Sequence, residues 1–291
     1  MQLTPTGTSY QSPKFTLANK AYYQLRMLWS AHQFSYVVMD LLRNSALLLR
    51  DVYLQKEFIK SQTEQQIEAQ LKDPVINSID AERAHLIIVN QLYTVIPAGL
   101  FDADKSALIL SKICGNTISE KHEIRFQFIN GEQVLIYAMP CTQLSMIQNT
   151  LGYEPSIHHG VALMIKDLQN YLPPKEQHQA FFYVRQYSCD VAVFEGKKLL
   201  LVNSFSYQNP SEFLYFLIFM LEQCDTDTNT AKVTLMGEIE ENSLLYSELY
   251  KFVRHLEFIE PIKYHEIEPE LMIKPHFYFN LFSRNIENNK R

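Results

Sequence analysis

The side chains able to do chemistry are scattered along this chain and form none of the groupings that catalysis requires. Its nine histidines contain no H-E-x-x-H, the spacing that sets two imidazoles on one helix face to hold zinc. His158-His159 precede a stretch of helical period, where capping that helix or lying at the surface accounts for them without a metal. A cysteine nucleophile needs surroundings that lower its pKa, whereas Cys189 leads from a turn into an apolar strand and Cys224 ends an apolar helix. No G-x-S-x-G, G-x-x-x-x-G-K-[ST] or G-x-G-x-x-G occurs, so neither a nucleophile elbow nor a phosphate cradle is written in the sequence. Glu238, Glu240 and Glu241 read as a solvated negative turn, Asp190 as an Asp stabilising its own turn, and Gly237 as a glycine ending a strand.

Composition narrows the class further. The formal charge of −6 disfavours a nucleic-acid binder, which needs clustered cations to neutralise phosphates, and Lys197-Lys198 is only an isolated pair. Cys114, Cys141, Cys189 and Cys224 make no C-x-x-C pair, as expected in a reducing compartment. Met1 to Lys20 lacks the apolar core of a signal peptide, and the run Phe213 to Leu221 is about half of what spans a bilayer. The expectation is a cytoplasmic protein with no transmembrane segment, no metal and no resident cofactor.

The elements that must carry these side chains are legible as a pattern that starts twice. Beyond a segment of residues 1–18 expected to be a mobile arm, Tyr23, Leu25, Met27 and Trp29 alternate with Gln24 and Arg26, the period of a strand with one buried face. Phe34 to Met39 and Ala46 to Tyr53 complete an antiparallel meander. Thr63 to Lys72 reads as a helix and His85 to Tyr93 as a buried strand. Helices are expected over Asp102 to Ile113, Thr142 to Thr150 and Val161 to Asn170, with a hairpin around Asn130-Gly131.

After Pro173-Pro174 and its polar neighbours, the expected boundary, Ala180 to Gln186, Val191 to Phe194 and Lys198 to Tyr207 repeat the meander. Asn209-Pro210-Ser211-Glu212 then opens a helix with a capping Asn, Pro in the first turn and a Glu able to reach back. Because Phe213 to Leu221 is apolar nearly all round, this helix is expected to lie buried between layers. Val233 to Met236 reads as a strand, Ser243 to His255 as a helix and Phe277 to Phe282 as a late aromatic strand. The halves are then residues 19–172 and 173–291 of an α/β protein with mixed sheets.

Val95-Ile96-Pro97-Ala98-Gly99-Leu100-Phe101, Asn203-Ser204-Phe205 leading into Asn209-Pro210-Ser211-Glu212-Phe213-Leu214-Tyr215, and Leu235-Met236-Gly237-Glu238-Ile239 resemble an uncharacterised bacterial domain-of-unknown-function family. That family is similar in fold to the actin, sugar kinase and heat-shock chaperone superfamily, of ribonuclease H-like architecture, and especially to PilM and EpsL. The likeness covers about residues 20 to 282 and implies a duplicated actin-like fold, with antiparallel meanders flanked by helices.

In active members the first turn of each half carries Asp-x-Gly, where the glycine admits phosphate and the Asp helps to hold a metal ion. The corresponding turns here, Leu28 to His32 and Gln186 to Asp190, contain no glycine, and Trp29 and Tyr187 are expected to crowd a triphosphate. The resemblance therefore implies a non-catalytic interaction or scaffold module that binds a protein partner, with self-association open to it. Phe277, Tyr278, Phe279 and Phe282 are the candidate partner patch. The alternative is a divergent nucleotide-binding or phosphotransfer enzyme that holds its ligand with Ser30, His32, Ser188, Asp190, Gly237 and Glu238. A nuclease of the related fold needs converging carboxylates, and Tyr22 to Trp29 offers none.

Overall fold

The computed structural model describes residues 7–54, 60–173, 178–260 and 274–289. The described residues separate into two compact units, the first comprising those of 7–163 and 284–289 and the second those of 164–260 and 274–283. The division falls inside a helix, α5 (Gly160–Tyr171), rather than at Pro173, and residues 174–177 of the expected boundary lie outside the described residues.

The first unit is built on β1 (Ser9–Gln11), β2 (Tyr23–Trp29), β3 (Gln33–Asp40), β4 (Ser45–Tyr53), β5 (Ala84–Ile88) and β9 (Ser156–His159), in the order β1-β4-β3-β2-β5-β9. The expected mobile arm needs correction: residues 9–11 add an antiparallel edge strand to β4, with Tyr10 opposite Leu49, while residues 1–6 lie outside the described residues. The meander is as expected, but β2 has no solvent face. Gln24 and Arg26 are buried along with their apolar neighbours, and polarity is satisfied internally. Arg26 Nε donates to Gln24 Oε1 at 2.6 Å, Gln24 Nε2 lies 3.2 Å from His85 Nε2, and His85 Nδ1 lies 3.1 Å from His158 Nε2.

Helix α1 (Lys60–Leu71) and the short α2 (Pro74–Ser78), capped by Asp73, lead from β4 to β5. The expected strand over His85 to Tyr93 is two strands, β5 and β6 (Tyr93–Pro97). Strand β6 joins β7 (His122–Phe128) and β8 (Gln133–Pro140) in a small antiparallel sheet ordered β6-β8-β7, against which α3 (Ser106–Cys114) packs through Leu110, Ile136 and Ala138. Helix α4 (Cys141–Leu151) then carries the chain to β9.

The second unit repeats the plan. Its strands are β10 (His178–Arg185), β11 (Ser188–Glu195), β12 (Lys198–Ser206), β13 (Lys232–Gly237) and β14 (His255–Phe258), ordered β12-β11-β10-β13-β14. This is the order β4-β3-β2-β5-β9 of the first unit, strand for strand. In each, an antiparallel meander is extended by two parallel strands reached through helical crossovers, the connection a parallel neighbour demands.

The crossover helices here are α6 (Pro210–Glu222) and α7 (Leu244–Leu249). Asn209 Oδ1 accepts the Glu212 N–H at 3.0 Å, while Glu212 Oε2 reaches one residue beyond the cap to the Gln208 N–H at 2.8 Å. The inner side of α6, through Phe213, Leu217 and Leu221, packs on Phe182, Val184, Val191 and Val193 of the sheet. The late aromatic strand is absent. Pro275–Tyr278 forms a 3-10 turn instead, followed by further turns to Phe282.

Candidate functional site

Register places a serine and an aspartate directly opposite each other next to the first turn of both meanders. In the second unit Asp190 of β11 faces Ser204 of β12, and in the first Ser35 of β3 faces Asp51 of β4 with the two roles exchanged. Both carboxylates are buried and both are spoken for. Asp51 Oδ1 accepts from Ser35 Oγ at 2.6 Å and from Gln33 Nε2 at 2.9 Å. Asp190 Oδ1 accepts the Ser204 hydroxyl, and its Oδ2 sits 2.7 Å from Arg185 Nη1.

Arg185 ends β10 and pairs with Ser188 across the two-residue turn, which sets its side chain diagonally over Asp190. Its guanidinium also lies 4.2 Å from the centre of the Tyr183 ring. Burial works against the Arg185 charge, yet the adjoining Asp190 and Tyr183 more than offset this and raise its pKa. The same burial pushes the Tyr183 phenol up to about 12 and holds the Cys189 thiol well above its ordinary value, the opposite of what a nucleophile needs.

The other predicted positions are structural in their surroundings. Ser30 closes its own turn, its N–H donating to the Gln33 carbonyl at 2.9 Å. His32 is half-buried and its carbonyl accepts the Leu54 N–H at 2.8 Å. Trp29, expected over the turn, belongs instead to the core cluster of the first unit, while Tyr187 is half-buried in its turn. Ser188 opens β11 between Arg185 and Ser206. Gly237 has φ +88°, and a Cβ there would stand 2.0 Å from the Val184 carbonyl oxygen. The close approach is made by the neighbouring strand, and the Glu238 N–H donates to that same carbonyl at 2.8 Å.

The chain itself covers this end of β10 and β13. Tyr278, Phe279 and Phe282 are buried and Phe277 is half-buried, so the expected partner patch is a packed part of the second unit. Tyr183 Oη donates to the Phe277 carbonyl at 3.3 Å, and the rings of Tyr183 and Phe279 meet edge to face at 6.3 Å. His276 Nε2 donates to the Ile239 carbonyl at 3.1 Å, and Lys274 pairs with Glu240. Burial lowers the His276 pKa, so the folded protein keeps it neutral while the unfolded chain protonates near pH 6.5. Between pH 6.5 and the lowered value the unfolded state binds more protons, so stability falls as pH drops through that window. Melting curves from pH 7.5 to 5.5 are expected to show the loss, and His276→Gln to flatten it.

His158 and His159 are likewise interior. They belong to β9, a strand that the sequence reading missed, and His159 combines burial with the predicted capping role by accepting the Val161 N–H of α5 at 3.3 Å. No cluster of three or more metal-ligating side chains is found among the described residues. No helix among them is long and apolar enough to cross a membrane.

Residues 12–256 match the model of the family described as a protein of unknown function, DUF3822. The chain belongs to this family. No curated protein matches the DUF3822 chain by sequence. Among solved structures it is similar to a Bacteroides thetaiotaomicron protein with actin-like ATPase fold and unknown function, at TM-score 0.74 and 17% identity over 88% of this chain and 97% of that one. It is also similar to a structure of the PilM-PilN type IV pilus biogenesis complex, at TM-score 0.64 and 10% identity over 89% of this chain and 96% of that one. The cytoplasmic domain of EpsL from Vibrio cholerae matches at TM-score 0.44 and 9% identity, over 82% and 90% of the respective chains. With its repeated sheet order and these first two matches, the DUF3822 chain has the duplicated actin-like fold that the resemblance implied.

Proposed function

We propose that this protein is a non-catalytic actin-like module that works in the cytoplasm by binding another protein. The observation that carries the reading is the closure of the second unit's turn. Asp190, the one carboxylate beside that turn in the sequence, is buried and committed to Arg185 and Ser204. Drawing it toward a metal–phosphate ligand would leave the Arg185 guanidinium buried without its counter-ion, at a cost of several kcal/mol. The packing of residues 276–282 against Tyr183 and Ile239 supports the same reading, because it fills the neighbourhood of Gly237 with side chains. The fold shared with PilM, solved in its complex with PilN, makes partner binding a use to which such a framework is put.

Isothermal titration with Mg-ATP and with Mg-GTP is the direct test. No heat is expected that corresponds to binding tighter than about 100 μM, near −5.5 kcal/mol. Saturable binding below that threshold that weakens in Asp190→Asn would replace this reading with a nucleotide-dependent one.

A further inference from the structure

We propose that the outer face of the α6–α7 layer is a docking surface for a partner segment presenting an apolar stripe flanked by lysine or arginine. This deepens the reading above and rests on it. The first observation is that α6, apolar nearly all round, is covered on one side only. Tyr215 and Phe219, one helical turn apart, are 64% and 40% exposed and stack at 6.3 Å with planes within 10°. In the next crossover, Leu244 at the start of α7 and Tyr250 and Phe252 just after it are 66%, 64% and 51% exposed. Both helices pack inward on the same core, through Phe213, Leu217 and Leu221 on one and Leu249 on the other, and the stacked Tyr215–Phe219 pair is on the exposed side of α6.

The repeat shows that the fold does not require them. Helix α1 occupies the same place in the first unit, crossing from the third meander strand to the next parallel strand. Its exposed described positions are Gln65 and Ala69. Among the described residues, exposed aromatic side chains at that topological position occur in the second unit and not in the first, and exposed aromatics are the composition that anchors protein interfaces.

Charge selects the occupant. The stretch 209–258 that builds the layer carries nine carboxylates and three basic residues. Three of the carboxylates are in ion pairs, Glu257 with Lys232 and Glu248 with Lys251, each at 2.7 Å, and Glu240 with Lys274, so the stretch keeps a net negative charge. Glu212 and Glu222 stand at the two ends of the Tyr215–Phe219 pair on α6 itself. A second copy of this face would bring like charges together, and an anionic lipid surface would be repelled in the same way. A segment with cationic flanks meets complementary charge while its apolar stripe covers the rings.

The test uses the full chain and a labelled helical peptide of about 18 residues, with a leucine and phenylalanine stripe and lysine flanks, followed by fluorescence anisotropy. Comparators are the same peptide with glutamate flanks and phosphatidylglycerol vesicles. The lysine peptide is expected to bind, roughly tenfold more weakly to Tyr215→Ser/Phe219→Ser, and more weakly as salt rises from about 0.05 to about 0.5 M. Both substitutions are on exposed positions, and an unchanged melting curve confirms that the variant is folded. Equal binding of both peptides, binding indifferent to the double substitution, or binding to vesicles alone would overturn the proposal. So would a dimer in sedimentation that the double substitution dissociates, since the occupant would then be a second copy. A silent peptide together with a silent nucleotide titration would sink this inference and leave the non-catalytic reading standing, whereas nucleotide binding would sink that reading first.

Discussion

Asp190→Asn is expected to destabilise the protein by about 3–5 kcal/mol, seen as a fall in Tm on the order of 10 °C. The expectation follows from asymmetry. Removing one member of a buried ion pair leaves the other charge in a low-dielectric site with its desolvation uncompensated, and Arg185 cannot shed its proton to escape. The hydroxyl of Ser204 loses its charged acceptor in the same step. Arg185→Met combined with Asp190→Leu removes both charges and is expected to recover most of the loss, so the double-mutant cycle carries a large coupling term. A carboxylate held ready for a metal and phosphate behaves in the opposite way, because neutralising a strained, ligand-seeking group leaves stability unchanged or raises it while abolishing binding. Denaturation of these two variants thus separates a structural Asp190 from a catalytic one, and a Tm for Asp190→Asn equal to or above the parent would remove the argument on which the non-catalytic reading stands.

What the sequence made legible, and what it hid, divides along the range of the interactions. The meanders, the Asn130-Gly131 hairpin and the Asn209 cap follow from period and local chemistry, which a single strand or turn displays within a few residues. The duplication of the meander followed from seeing the same local series twice, whereas the last strand of each sheet, β9 and β14, did not, His255 having the helical surroundings of Ser243 to Arg254 in the sequence. Strand β9 was missed because His158-His159 look polar. Their burial depends on His85 and Gln127, more than thirty residues away in the chain.

The aromatic run at 277–282 looks like a strand in the sequence because its residues favour strands. That preference measures packing against neighbours rather than a backbone state, and a 3-10 turn beginning at Pro275 supplies the packing without a ladder. Within the candidate site the Asp190–Arg185 pair was open to detection. Residues five apart that flank a two-residue hairpin turn lie diagonally on one face, so an Arg and an Asp at that spacing invite an ion pair. The exchange of Ser and Asp between the two halves was not legible in that way, since it appears only once the register of β3 on β4 and of β11 on β12 is known.

Gly237→Ala is expected to be nearly as damaging as the loss of Asp190, at about 4 kcal/mol. Two terms contribute. At φ +88° an L side chain is strained whatever surrounds it, and the added Cβ would stand 2.0 Å from the Val184 carbonyl oxygen and 2.7 Å from the Tyr183 ring. The first clash is with backbone that also accepts the Glu238 N–H, so relief requires parting β13 from β10 at the strand end where the segment 276–282 packs. Gly152→Ala makes the control, because that glycine also has positive φ, +76°, but meets nothing within 4 Å, so it isolates the conformational term from the steric one. Urea denaturation of the two is expected to place Gly237→Ala well below Gly152→Ala. If the two were equal, the space above Gly237 would be open, and the glycine would be serving a ligand rather than the neighbouring strand.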